Sequence, residues 1–331
     1  MSGETALHRA TINGKTDTVK CLLQNGCDVD NARQDGCTAL LLASKHGHIK
    51  IVELLIEQKV KVDKRNNKKK GALHFAVLNG WEIIVRRLLD EGCDVDASTS
   101  GGDTALMMGC LKGSIEIVQM FITRKADVKK KNEFGRTALY FAVLNGWKII
   151  VRCLLDNGCD VDATASHGDT TQMIGCFEGH IEIIQLLITR TADVNKKNAF
   201  GQTALHFAVF GDEETIAAWL LNNGSNVNAC TSRGNTALML GCKKGYIEMV
   251  RLLIECGADI NRNNNNGDTA LDIACREGYS DIVKVLEDSM GVTDTETDSM
   301  EVTDTETDCM EVTDTETDDE ETSLYTAEQN D

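Results

Sequence analysis

The apolar positions of this chain follow one pattern, repeated nine times. Each unit opens on T-A-L or a close variant, at Thr5, Thr38, Gly71, Thr104, Thr137, Thr170, Thr203, Thr236 and Thr269, at intervals of 33 residues with no insertion or deletion. Two copies are degenerate: G-A-L-H at Gly71 and T-T-Q-M at Thr170. A fixed period of this length marks a stack of identical small units, each too small to bury its own apolar face.

Each unit predicts two short helices. The threonine is placed as an N-cap, its hydroxyl accepting from a free N–H of the first turn. The following leucine and the small residue three positions on, such as Leu40 and Ala43, share one helix face. That small site reads Ala10, Ala43, Ala76, Gly109, Ala142, Gly175, Ala208, Gly241 and Ala274, and only close helix contact demands such strict smallness. A glycine such as Gly47 then breaks the helix, and Ile51, Val52 and Leu55 recur at helical spacing in the second. Gly26, Gly92, Gly158, Gly224 and Gly257 are placed to end it in the left-handed conformation. A polar stretch long enough for a turn or hairpin leads to the next unit.

A longer period overlies the first. Units 3 and 5 share F-A-V-L-N-G-W and 23 of 33 residues, and units 4, 6 and 8 share the pairs Gly109–Cys110, Gly175–Cys176 and Gly241–Cys242. The array reads as a duplicated 66-residue pair. Polar residues at Arg9, Thr11, Thr16, Asp17 and Thr18, and at Arg276, Glu277, Ser280 and Asp281, are expected to form the soluble end caps of a complete array.

These residues resemble the ankyrin repeat family, whose 33-residue unit carries T-P-L-H-x-A and G-A-D-V-N. Alanine stands in place of the family proline throughout, which a helix tolerates well. The resemblance implies an all-α, right-handed solenoid of nine stacked helix-turn-helix units with hairpin loops, over 1–288. The units run approximately 3–35, 36–68, 69–101, 102–134, 135–167, 168–200, 201–233, 234–266 and 267–288. It implies a non-catalytic protein–protein interaction scaffold or adaptor, with a concave groove faced by the residue two before the inter-helix glycine. Here that position reads Ile12, Lys45, Leu78, Leu111, Leu144, Phe177, Phe210, Lys243 and Arg276. Five consecutive large apolar residues would make an exposed band on the order of 35–40 Å long. The resemblance also gives His8, His74 and His206 a structural role in tying neighbouring loops, and marks Asn195, Asn228 and Asn261 as matches to a turn asparagine that is sometimes hydroxylated in the family.

Charge and composition refine this picture. The net charge is −18, but 289–331 holds 16 Asp and Glu and no Lys or Arg. The remaining 36 acidic and 34 basic residues give the array a net of only −2. The tail repeats V-T-D-T-E-T-D and is expected to be disordered, because low hydrophobicity and high charge cannot offset chain entropy. Thr293, Thr295, Thr303, Thr305, Thr313 and Thr315 each precede an acid by three residues, a pattern suited to an acidophilic kinase. The start shows no signal peptide and no apolar run spans a membrane. Thirteen cysteines then fit a reducing compartment, cytoplasmic or nuclear.

Other candidates are weighed against structural roles. No cysteine or histidine set has zinc spacing, and no nucleophile–base pair or phosphate loop occurs, so no catalytic, metal or cofactor site is expected and the chain is read as no enzyme. Cysteines in repeat phase (Cys27, Cys93, Cys159, Cys110, Cys176, Cys242, Cys275) are read as small buried hydrophobes. Phe134 and Phe200 stand at predicted hairpin tips, suited either to partner contact or to packing on the next tip. Trp81 and Trp147 follow the inter-helix glycine and are expected to be partly buried. Lys64, Lys130, Lys196 and Arg262 recur every 66 residues with Arg65, Lys131 and Lys197 beside them. This basic ridge, enlarged by Lys68, Lys69 and Lys70, is read as a solvated face or a strip where the acidic tail competes with an acidic ligand, making a regulatory or inhibitory subunit the alternative function. Nucleic acid is not expected as a partner, since the chain lacks any such motif and is acidic overall. One or more proteins are, with the chain itself monomeric. Weak points are expected at Gln172 in a core leucine slot, at Lys59, Lys125 and Thr191 in left-handed slots, and in repeat 7, where Gly211–Asp212 replaces the usual glycine.

Overall fold

The computed structural model describes residues 3–291. Eighteen helices form nine pairs: α1 (Ala6–Ile12) with α2 (Thr16–Gln24), α3 (Ala39–His46) with α4 (Ile49–Glu57), α5 (Ala72–Leu78) with α6 (Glu82–Asp90), α7 (Ala105–Lys112) with α8 (Ile115–Thr123), and α9 (Ala138–Leu144) with α10 (Lys148–Asp156). The series continues with α11 (Thr171–Phe177) and α12 (Ile181–Thr189), α13 (Ala204–Phe210) and α14 (Glu214–Asn222), α15 (Ala237–Lys244) and α16 (Ile247–Glu255), and α17 (Ala270–Glu277) and α18 (Ser280–Ser289). First helices pack on first helices of the adjacent repeats, and second helices on second. The result is two parallel layers in which each repeat is stabilised mainly by its neighbours.

The threonine caps form as the spacing requires. Thr104, Thr170 and Thr269 each accept the N–H three residues on at 3.2 Å. At Gly71, which has no hydroxyl, only the reciprocal bond remains: His74 Nδ1 accepts the Gly71 N–H at 3.1 Å, as His8 and His206 accept from Thr5 and Thr203. The small site is a true contact. A Cβ on Gly175 would come within 2.9 Å of Ile184 Cδ1 and 3.1 Å of Val143 Cγ1, its partners in the same repeat and the one before. Between repeats, hairpins are reduced to isolated bridges at Ala32–Thr38, Ser98–Thr104, Thr164–Thr170 and Cys230–Thr236, one every 66 residues. No β-strand forms among the described residues.

The turns carry a second set of inter-repeat bonds. The side-chain oxygens of Asp30, Asp63, Asp96, Asp162, Asn195 and Asn228 each accept a backbone N–H of the following repeat at 2.8–3.1 Å. At the corresponding slot in repeat 4 stands Lys129, whose ammonium accepts nothing, so repeats 4 and 5 are joined without this bond.

The expected weak points are present. Lys59, Lys125 and Thr191 take φ of 56°, 58° and 65°, and Asp212 assumes the left-handed inter-helix position at 56°. The Gln172 side chain is buried in α11 and its Nε2 has no hydrogen-bond partner. Two expectations about the ends are corrected. Thr11, taken for a polar cap residue, is fully buried with its hydroxyl unpaired, because that slot faces the next repeat. For the same reason Cys275, at this slot in repeat 9, is exposed: among the described residues no further repeat covers it.

Candidate functional site

The five apolar residues of the expected band come from the last turns of five first helices that pack in sequence, α5, α7, α9, α11 and α13. None of Leu78, Leu111, Leu144, Phe177 and Phe210 is sealed in the core; Leu111 is 38% exposed and the others are half-buried. Phe210 leans edge-on against Phe207 of its own helix, with ring centroids 6.0 Å apart. At one end the row gives way to exposed Lys45, and at the other to half-buried Lys243 and then Arg276, which is drawn to the Asp268 carboxylate. The structure thus keeps a half-open apolar row with polar ends.

In three repeats the residue after the inter-helix glycine bonds to the preceding repeat's equivalent of the row position. Trp81 donates its Nε1–H to the Lys45 carbonyl at 3.3 Å, and the His48 and His180 Nε2 atoms pair with the Ile12 and Leu144 carbonyls at 3.3 Å. Each of these carbonyls belongs to the row position of the preceding repeat. The rings lie flat over the glycines there. A Cβ on Gly47 would fall 2.6 Å from Trp81, and one on Gly113 2.5 Å from Trp147. These glycines are therefore needed for ring clearance as well as for their φ of 76° and 74°.

Two exposed residues beside these tryptophans escaped the sequence reading. Ile83 and Ile149, on the outer face of α6 and α10, are 70% and 71% exposed. Their slot holds Glu116 and Glu182 in repeats 4 and 6, and that swap of acid for isoleucine is the available signal.

The basic ridge is bonded into the stack. Lys130 and Lys196 donate their ammoniums to the Asp96 and Asp162 carbonyls at 2.6 and 2.8 Å, Arg262 donates to the Asn228 carbonyl at 3.3 Å, and Lys64 to that of Asp30. Their neighbours reach the other way. Lys131 and Lys197 bind the Thr164 and Cys230 carbonyls at 2.8 and 3.0 Å, and Arg65 binds the Asp94 carboxylate at 3.1 Å. All seven basic groups link adjacent hairpins, six of them through a backbone carbonyl and Arg65 through the Asp94 carboxylate. Arg65, Lys131 and Lys197 remain exposed and Lys64, Lys130, Lys196 and Arg262 are half-buried, so the ridge is solvated as well as bonded to the stack.

The remaining candidates divide. Phe134 is 48% exposed, with the Arg136 guanidinium 5.0 Å from its ring centre; Phe200 stacks on His167 of the preceding tip at 5.5 Å. His74 accepts from Gly71 through Nδ1 and therefore donates through Nε2 to the Ala97 carbonyl at 3.1 Å, and His8 joins Asn31 in the same way. Burial pushes His74 and His206 down to about 4, so both are neutral at physiological pH. Burial raises the Cys93, Cys159 and Cys242 thiols to about 12, which keeps them protonated. The Asn195 and Asn228 amides are engaged in the inter-repeat bonds described above, each also donating to the glycine carbonyl of the next repeat, Gly224 and Gly257. The acidic tail, with Thr293, Thr295, Thr303, Thr305, Thr313 and Thr315, lies outside the described residues.

Fold and surface together define a repeat solenoid that presents a row of equivalent side chains, one per repeat, along its first helices. The family model for ankyrin repeats (3 copies) matches residues 2–66, 58–132, 110–198, 173–264 and 219–298. The chain belongs to the ankyrin repeat family, whose members serve as protein–protein interaction modules. No curated protein matches it. No helix among the described residues is long and apolar enough to cross a membrane.

Proposed function

We propose that the protein is a non-catalytic scaffold or adaptor of the cytoplasm or nucleus, which holds an amphipathic or extended segment of a partner protein along Leu78, Leu111, Leu144, Phe177 and Phe210. The observation that carries this reading is the half-open state of one apolar slot through five successive repeats, where a purely structural slot would be closed and an idle surface slot polar. The bond from His180 to the Leu144 carbonyl ties the middle of the row to the next repeat. The regulatory alternative would use basic groups that also bind the stack, of which Arg65, Lys131 and Lys197 stay exposed.

The test is affinity capture with the full chain and with a Leu111→Asp, Leu144→Asp, Phe177→Asp variant, compared by mass spectrometry. The variant is expected to lose its specific partners, with helicity by circular dichroism unchanged. Undiminished capture by a folded variant would refute the assignment.

A further inference from the structure

Six of the seven Asn-Gly pairs in this chain end a helix. Asn13, Asn25, Asn79, Asn145, Asn157 and Asn223 are the C-caps of α1, α2, α5, α9, α10 and α14. Each donates its side-chain Nδ2 to the carbonyl four residues earlier, at 2.8–2.9 Å, so the amide lies back along its own helix. The seventh pair, Asn266–Gly267, lies at the hairpin tip between repeats 8 and 9. There the Asn266 backbone N–H donates to Asn264 Oδ1 at 2.9 Å, but the Asn266 side-chain amide makes no bond within the protein. Gly267 is exposed at φ 88°, with open space around it.

Neither exposure nor the glycine separates the two groups. All seven asparagines are exposed, and in every pair the glycine N–H donates to the carbonyl three residues back, as Gly26 does to Leu23 and Gly267 to Asn264. The difference is the asparagine amide, held in six pairs and unheld in one. We infer that Asn266–Gly267 is a deamidation site, at which the folded chain converts asparagine to aspartate or isoaspartate while the six helix-capping asparagines are protected.

The reaction needs only water. The Gly267 nitrogen loses its proton and attacks Asn266 Cγ. The new C–N bond closes a succinimide, the amide C–N bond breaks, and the side-chain nitrogen takes up a proton and leaves as ammonia. Water then opens the ring at either carbonyl, and the new acid releases its proton to solvent. At a helix cap, Cγ can turn to the glycine nitrogen only after the Nδ2 bond is broken, which slows the reaction by about tenfold. Isoaspartate routes the main chain through the side-chain carbon and lengthens the turn. In that turn Asn264 Oδ1 accepts from the Asn266 and Asp268 N–H groups at 2.9 and 3.0 Å, and the Asn264 N–H donates to the Asp268 carbonyl at 2.9 Å. A lengthened turn cannot keep all three bonds. Among the described residues repeat 9 has a neighbour on one side only, so the modification loosens repeat 9 and leaves the row in repeats 3–7 intact.

Peptide mapping by mass spectrometry of the full chain, aged at mildly alkaline pH, reads the exchange of the amide nitrogen for oxygen at each asparagine. The folded chain is expected to react at Asn266 about tenfold or more faster than at any of the six caps. In denaturant, where the cap bonds are gone, the seven rates should come within about threefold of one another. Asn266→Gln, whose longer side chain would have to close a larger ring, should remove the site without loss of helicity. Hydrogen exchange in repeat 9 should quicken on ageing in the wild type and not in this variant. A cap asparagine that reacts as fast as Asn266 in the folded chain would overturn the inference. So would an order of rates that survives denaturation, since it would then belong to the sequence and not to the hydrogen bonds. An aged chain modified at Asn266 whose repeat 9 exchanges as slowly as before would overturn the loosening of that repeat.

Discussion

Two surfaces of this molecule are built from side chains that return in phase along the array, and they have opposite fates. On the hairpin side, Lys64, Lys130, Lys196 and Arg262 each reach back 34 residues to a carbonyl of the preceding repeat, and are bonded into the stack. At the far ends of the first helices, Leu78, Leu111, Leu144, Phe177 and Phe210 recur as regularly but remain half-open. In-phase repetition thus says only that a slot matters to each repeat. Whether it serves the neighbour or a partner depends on whether the backbone nearby has an unmet need. Turn carbonyls without a β-ladder have one, and they take the cations. Helix-end leucines meet none, and they stay available.

This contrast can be strained from several directions. The largest effect is expected from acid, and on the hairpin side alone. His74 and His206 are neutral in the folded chain, with values near 4 against about 6.5 when unfolded. A depressed folded-state value gives stability that is complete above pH 6.5 and is lost as pH falls toward 4. Between pH 6.5 and 5 each histidine should therefore remove about 2 kcal/mol. Urea melts at the two values measure the sum, and His74→Met, the residue this slot already holds in repeats 4, 6 and 8, should shrink it. Next, Gln172→Leu should stabilise the array by about 1–3 kcal/mol, by removing a buried amide nitrogen without a partner. An unchanged melting temperature would show that the amide is not strained. Smallest is Thr191→Gly, which should add about 1 kcal/mol by relieving a left-handed β-branched residue at φ 65°, and should slow amide exchange at the end of α12.

Much of the stack could be foreseen from the chain alone, because its determinants are local. The threonine caps, the small site at Gly175 and the left-handed Lys59, Lys125 and Thr191 each depend on residues a few positions away, or on the same slot one repeat on. The ridge could not be assigned in this way. The partner of Lys130 is a backbone carbonyl at Asp96, which carries no side-chain signature. Thr11 was misjudged because polarity suggested solvent, while its slot number, shared with Val77 and Val143, pointed to the interior. The missing inter-repeat bond at Lys129 was visible as a substitution, but its meaning required knowing that the aspartate in that slot accepts from the next repeat.

The division between a bonded ridge and an available row is tested most directly by a ridge variant, Lys130→Met with Lys196→Met, assayed for both melting and partner capture. Its melting should show a loss of about 1–2 kcal/mol per lysine, since each ammonium leaves a turn carbonyl unserved, and partner capture should match wild type once the folded fractions are equalised. An unchanged melting curve together with lost capture would place recognition on the hairpin side and contradict the assignment to Leu78, Leu111, Leu144, Phe177 and Phe210.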